Sequence, residues 1–151
     1  MDKGVYCLVL RNPACSTGVG AIGRCDFHAG FHVYTGSALG SGGLKRVSRH
    51  IELSRKKNRA PKWHIDYLLT SRSFDLASVV CASTDEKIEC GLARTLGGVP
   101  VPSFGCSDCD CDSHLFYFPL DPRDDIAGAF RALDLVPLIK TLITSNAQSN
   151  I

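Results

Sequence analysis

The 151-residue sequence has no apolar run near the roughly 18 to 20 residues that cross a bilayer as a helix, which excludes a helical membrane protein. We expect no secretory-type leader either. Met1-Asp2-Lys3-Gly4 leads straight into the apolar stretch Val5 to Leu10, which is too short and lacks a small-residue cleavage site. No repeat period and no low-complexity linker interrupts the chain, so solenoid arrays and tethered modules are set aside. Net charge is small, +2, and the total alone selects no partner. With 44% hydrophobic and 21% charged residues and a mean hydropathy of +0.03, the composition is that of a globular domain. We therefore expect a soluble, cytoplasmic protein with no membrane partner, one domain over 1–144 and a polar tail over 145–151.

The charge is unevenly placed. Lys45, Arg46, Arg49, Arg55, Lys56, Lys57, Arg59 and Lys62 stand against the single Glu52, whereas Asp108, Asp110, Asp112, Asp121, Asp124 and Asp125 crowd a later stretch. Such a basic block attracts phosphate-rich polymers through its field and through counterion release. A solvated helix face followed by a basic loop accounts for it equally well.

The hydrophobic pattern gives the organisation. Gly4 to Leu10 reads as a buried strand, and Gly30 to Thr35 as a second, with Phe31, Val33 and Thr35 alternating against His32, Tyr34 and Gly36. Arg11 to Ala29 between them is a long hairpin connection or an excursion with short structure of its own. After the Gly-rich turn Ser37 to Gly43, Leu44, Val47, Ile51 and Ser54 follow a helical period, so the basic block begins on a helix. Trp63, Tyr67 and Leu68 have helical spacing, and Leu76 to Ala82 is β-rich. Ser83 with Glu86 resembles a capping box opening a helix from Asp85 to Leu96, stopped by Gly97-Gly98. Leu115 to Phe118 is a short aromatic strand. Asp121-Pro122 is an N-cap and first-turn pair for a helix through Leu133, and Leu135 to Ile143 reads as a last helix or its continuation.

One constellation ties these elements to chemistry. Gly4-Val5-Tyr6 lies on the first strand, Tyr34-Thr35-Gly36 closes the second, Arg46 and His50 stand four residues apart on one helix face, and Glu89 lies on the third helix. Alone, each has an ordinary explanation: cross-strand tyrosine packing, a structural histidine, a solvated glutamate. In this order they resemble the GIY-YIG nuclease superfamily. Leu44 to His50, Trp63 to Leu69 and Phe104 to Phe118 resemble more narrowly a prokaryotic branch of it, sometimes fused to endonuclease III.

The resemblance implies an α/β (α+β) fold with a small, mainly antiparallel central sheet flanked by helices. It also implies a Mg- or Mn-dependent endonuclease that hydrolyses phosphodiester bonds in DNA, in repair or recombination. Tyr6 would be the general base or a water-orienting hydroxyl, Arg46 the stabiliser of the pentacovalent phosphate, and Glu89 the one protein carboxylate on the metal, with Tyr34 and His50 assisting. Lys45, Arg49, Arg55, Lys56, Lys57, Arg59 and Lys62 would hold the phosphate backbone of DNA, or of RNA. The gap between the strand motifs is longer than in well-known members, and Ser107-Asp108-Cys109 stands where an asparagine follows the glutamate helix. The alternative is therefore a nucleic-acid-binding module on the same fold that does not cut.

Two further stretches have competing readings. Among eight cysteines, Cys106, Cys109 and Cys111 crowd ahead of His114, and Cys-x-x-Cys-x-Cys-x-x-His offers four ligands of the kind Zn takes. The rival is a Cys-rich turn with His114 packed beside the sheet or near the phosphate. A zinc-stabilised interaction protein with a protein or RNA partner is a third functional class. In Trp63-His64-Ile65-Asp66-Tyr67 we read the apolar residues as core, and His64 and Asp66 as a structural pair in preference to substrate contacts.

Overall fold

The computed structural model describes residues 2–104 and 113–142. A six-stranded, wholly antiparallel sheet forms its centre, in the order β6 (Val99–Pro100), β7 (Leu115–Phe118), β4 (Gly30–Ala38), β1 (Gly4–Asn12), β5 (Asp75–Ser83) and β8 (Leu138–Thr141), with helices on both faces. The α+β class expected from the sequence is the one observed. No helix among the described residues is long and apolar enough to cross a membrane.

Strand β1 (Gly4–Asn12) lies in the middle, between β4 (Gly30–Ala38) and β5 (Asp75–Ser83). A strand covered on both faces needs an unbroken apolar run, and Val5 to Leu10 supplies it. Its side chains alternate. Tyr6, Leu8 and Leu10 join one core layer beneath α1 (Lys45–Lys56) and α2 (His64–Leu69), while Val5, Cys7 and Val9 join the layer beneath α3 (Glu89–Leu96) and α4 (Arg123–Ala132). Each layer is closed by apolar helix residues: Leu53, Ile65, Leu68 and Leu69 on one side, and Leu92, Leu96, Ile126 and Phe130 on the other. The connection 11–29 is indeed an excursion with its own structure, the small hairpin β2 (Cys15–Val19) and β3 (Gly23–Phe27) around a single turn of 3-10 helix. A buried knot anchors its root: His32 Nδ1 lies 2.7 Å from Asn12 Oδ1, and Asn12 Nδ2 donates to the carbonyls of Pro13 and His28.

Helix α1 ends where Lys57 turns left-handed at φ 51°, and its amide closes on the Leu53 carbonyl. The Lys57 ammonium donates to the carbonyls of Leu69 and Phe74 at 2.8 and 3.0 Å. Burial lowers its pKa. Lys57 is thus a clamp between the ends of α1 and α2, and it leaves the set of cations expected to face phosphate. At the head of α2, Asp66 Oδ2 accepts the amides of Lys62 and Trp63 at 3.0 and 3.2 Å and takes Arg49 Nη2 at 3.4 Å, a structural role as expected, but made with these three residues in place of the expected pairing with His64.

Four expectations are corrected. Residues 135–143 do not make a helix: β8 (Leu138–Thr141) pairs antiparallel with β5. Pro137 bars Val136 from the helical region, and the β-branched Ile139 and Thr141 fit the open edge of β5. The helix expected from Asp85 begins at Glu89, because Thr84 Oγ1 accepts the Glu86 amide in a local turn that uses up the capping chemistry. Its stop is as expected, with Gly97 left-handed at φ 81°. Pro122 is the N-cap of α4 and Asp121 sits one position before it, accepting the Arg123 amide at 3.1 Å. Trp63, expected in the core, is 44% exposed.

Candidate functional site

The tyrosine of the first strand motif is held at the centre of the α1 face of the sheet. Tyr6 stands opposite Gly36 in the β1–β4 register, and a Cβ added at Gly36 would overlap the Tyr6 ring. That is the physical reason for a glycine two residues after Tyr34: the ring of one motif lies across the backbone of the other. Gly36→Ala therefore forces either the ring or the strand to move. We expect a loss of about 1–3 kcal/mol in urea unfolding, the range of overpacked cores. A loss under about 0.5 kcal/mol would show that the ring has space the structure does not give it.

The Tyr6 hydroxyl lies 2.9 Å from His50 Nε2, with both groups buried. Their pKa values are pushed apart. Burial, and next the nearby Tyr34, raise that of Tyr6 against the opposing pull of Arg46 and Arg49. Burial lowers that of His50 to about 4, with Arg49 and Arg46 adding to the fall and Asp66 opposing it. At neutral pH the proton stays on Tyr6, which donates to a neutral imidazole. His50 Nδ1 then carries the ring hydrogen, and it is buried with no hydrogen-bond partner among the described residues.

This arrangement has a consequence for stability. Both His50 and His32 have folded-state values of about 4, and in both cases burial is the largest cause. The unfolded chain binds more protons between pH 4 and 6.5, so stability is intact above about pH 6.5 and falls as the pH drops toward 4. The loss is on the order of 3 kcal/mol per histidine at the bottom of that window. Urea midpoints measured across this range should drop steadily, and His50→Gln should flatten the slope; an unchanged slope contradicts a buried neutral His50.

Arg46 reaches from α1 to the second motif, donating from Nη1 to the Ser37 carbonyl at 3.0 Å. Its guanidinium and that of Arg49 lie 5.4 and 4.5 Å from the centre of the Trp63 ring. Tyr34 is half-buried at the same edge, packed against the core layer that contains Tyr6, its ring centre 6.4 Å from that of His114. His114 donates from Nδ1 to the Thr35 carbonyl at 3.1 Å, and its Nε2 lies 3.9 Å from the sulfur of Cys90, itself disulfide-bonded. A line of neighbours thus runs from Tyr6 through Tyr34 and His114 to the first turn of α3.

That first turn holds Glu89, 5% exposed, with Oε2 buried and unpartnered among the described residues. A buried carboxylate oxygen with no donor is costly unless something cationic satisfies it. Its chemistry fits a hard divalent cation such as Mg²⁺ or Mn²⁺, which takes one or two protein carboxylates and keeps other positions for water and phosphate oxygens. Among the described residues no cluster of three or more His, Cys, Asp or Glu side chains stands ready for a metal. Cys106, Cys109 and Cys111, the zinc candidates, lie outside the described residues.

The basic residues divide by face. Lys45, Arg55, Arg59 and Lys62 are exposed, and Lys56 is exposed in a pair with Glu52 at 2.6 Å. On the other side of α1 from Trp63, a cleft of about 540 Å³ is lined by Ser48, Ile51, Glu52, Arg55, Lys56 and Lys140. Lys140 was not visible as a partner of this helix, since β8 was read as helical. Trp63 was hidden for a different reason: a Trp before a buried turn normally packs inward.

A family model described as "Domain of unknown function DUF123" matches residues 5–135, and the chain belongs to that family. No curated protein and no solved structure matches it.

Proposed function

We propose that this DUF123 chain is a metal-dependent endonuclease that hydrolyses phosphodiester bonds in DNA, as its resemblance to GIY-YIG nucleases implies. The observation that carries the reading is the buried Tyr6–His50 hydrogen bond with the Arg46 guanidinium acting on the same hydroxyl. A buried tyrosine hydroxyl bonded to a neutral histidine, with a cation on it, is more than packing requires.

In this reading the Tyr6 oxygen, its own proton committed to His50, has lone pairs free to accept a hydrogen bond from the attacking water. Tyr6 therefore orients that water and passes a proton along the 2.9 Å bond to Nε2 without standing free as a phenolate. Of the two roles implied for Tyr6, the orienting hydroxyl is the better supported, because burial opposes its ionisation. Arg46 faces the phosphate and meets the charge that develops on it. As a phosphate dianion-like transition state neutralises Arg46 and Arg49, two of the groups depressing His50 lose their effect, and the imidazole becomes a better acceptor. Glu89 would hold Mg²⁺ or Mn²⁺, which supplies positive charge opposite the same phosphate. Lys45, Arg55, Arg59, Lys62 and Lys140 attract the backbone around the site.

The test is a panel of labelled duplex, single-stranded, flap and branched DNA, and RNA, incubated with Mg²⁺, Mn²⁺ or chelator. Metal-dependent cleavage supports the enzyme. Tight, salt-sensitive binding with no cleavage in any arm would instead favour the alternative, a binding module on this fold.

A further inference from the structure

We infer that Trp63 is a stacking platform for an unpaired nucleobase adjoining the phosphate at Arg46 and Arg49, so that the preferred substrate is DNA with a single-stranded flap or junction at the cut. The inference rests on the nucleic-acid reading above. Trp63 is the only tryptophan in the chain and is 44% exposed, although α2 is anchored without it by the fully buried Ile65, Leu68 and Leu69. An indole left that open gains little for the core. It is nevertheless held in place. Arg49 and Arg46 lie 4.5 and 5.4 Å from its ring centre, and the His50 ring meets it edge-on at 6.4 Å.

All three neighbours come from α1, and with them in place Trp63 is still 44% exposed, so much of the indole remains open to solvent. A rigid π-face beside two guanidinium groups suits a base whose phosphate those groups hold. Stacking of this kind is tolerant of sequence because every base has such a face. Bases inside a duplex are already stacked on each other, so the one that reaches Trp63 has to be unpaired. His50 couples the platform to Tyr6 through the 2.9 Å bond, which places the stacked base next to the proposed cut.

Because Trp63 is the sole tryptophan, intrinsic fluorescence reports on it alone. The wild-type chain in chelator is titrated with three labelled probes: a paired duplex, the same duplex with a single-stranded flap, and that flap with an abasic residue at the first unpaired position. The flap should quench the tryptophan and bind roughly ten- to a hundredfold tighter than the abasic flap, the range of base–aromatic stacking. Trp63→Ala should erase this difference, and Trp63→Phe should keep part of it. Flap binding with unchanged fluorescence, equal affinity for the abasic flap, or discrimination that survives Trp63→Ala overturns the inference and leaves the nuclease reading in place. Quenching by a chain that never cuts leaves the platform standing and removes the nuclease. Failure to bind any probe overturns both.

Discussion

Glu89→Gln should reduce metal-dependent cleavage by at least about a thousandfold while leaving DNA affinity within about threefold of wild type. The substitution keeps the size and shape of the side chain, removes the charge and replaces one acceptor oxygen with an NH2 donor, so a buried side chain at 5% exposure stays where it is. What is lost is the anionic oxygen, Oε2, that has no donor among the described residues. Removing electrostatic stabilisation of a phosphoryl transition state costs orders of magnitude in rate, whereas phosphate contacts elsewhere set affinity. A second readout does not depend on turnover. Mn²⁺ should raise the melting temperature of the wild type, because a ligand bound by the native state alone stabilises it, and should leave that of Glu89→Gln unchanged. Equal melting shifts in both proteins would remove Glu89 from the metal.

Tyr6→Phe comes second in expected size, with cleavage lowered by about a hundred- to ten-thousandfold, the range for losing a positioned proton-transfer group. The ring still lies across Gly36 and still fills the core beside Leu8, so the fold should survive, at a cost of about 1–3 kcal/mol for the buried His50 Nε2 left without its donor. Substrate affinity should hold, because the hydroxyl is buried and the arginines proposed to face phosphate are intact. The loss belongs to the chemical step, and single-turnover rates measured beside dissociation constants separate the two. His50→Ala should cost less, since Tyr6 keeps its ability to orient water after its acceptor is gone. Single-turnover rates within threefold of wild type for Tyr6→Phe would leave the 2.9 Å bond as packing only.

The strands that carry the site were legible for a physical reason: β1 is buried on both faces and shows as an unbroken apolar run, and β4 is rich in aromatic and β-branched residues that pack on both faces, Phe31 and Val33 on one and Tyr34 on the other. The α1 period was equally clear because its polar and apolar faces differ strongly in sequence. Arg46 and His50 followed from that helix, and the structure brings both to Tyr6. β8 was not legible. Residues 135–143 carry enough apolar character for either element, and only the vacant edge of β5 decides between them. The start of α3 was misplaced because Ser83 and Thr84 both offer capping oxygens, and Ser83 is still part of β5, with its Oγ directed to Asp2.

The same distinction applies to the charges. A lysine in a basic block gives no sign in sequence that its ammonium is spent on two carbonyls, as that of Lys57 is, or that a lone Lys140 joins the block across a cleft. Glu89 shows the limit most clearly. Its candidacy could be read from the order of motifs, but its burial with an oxygen unpartnered among the described residues depends on α3 starting at that residue and facing the sheet.

The most direct measurement is cleavage of end-labelled flap and duplex DNA by the wild-type chain in Mg²⁺ and in chelator, with Glu89→Gln prepared and assayed in parallel. The account predicts cleavage that appears with the metal, stops on chelation and is absent from the variant while its DNA binding persists. Cleavage unaffected by chelator or by Glu89→Gln, or none by wild type on any substrate it binds, would contradict it.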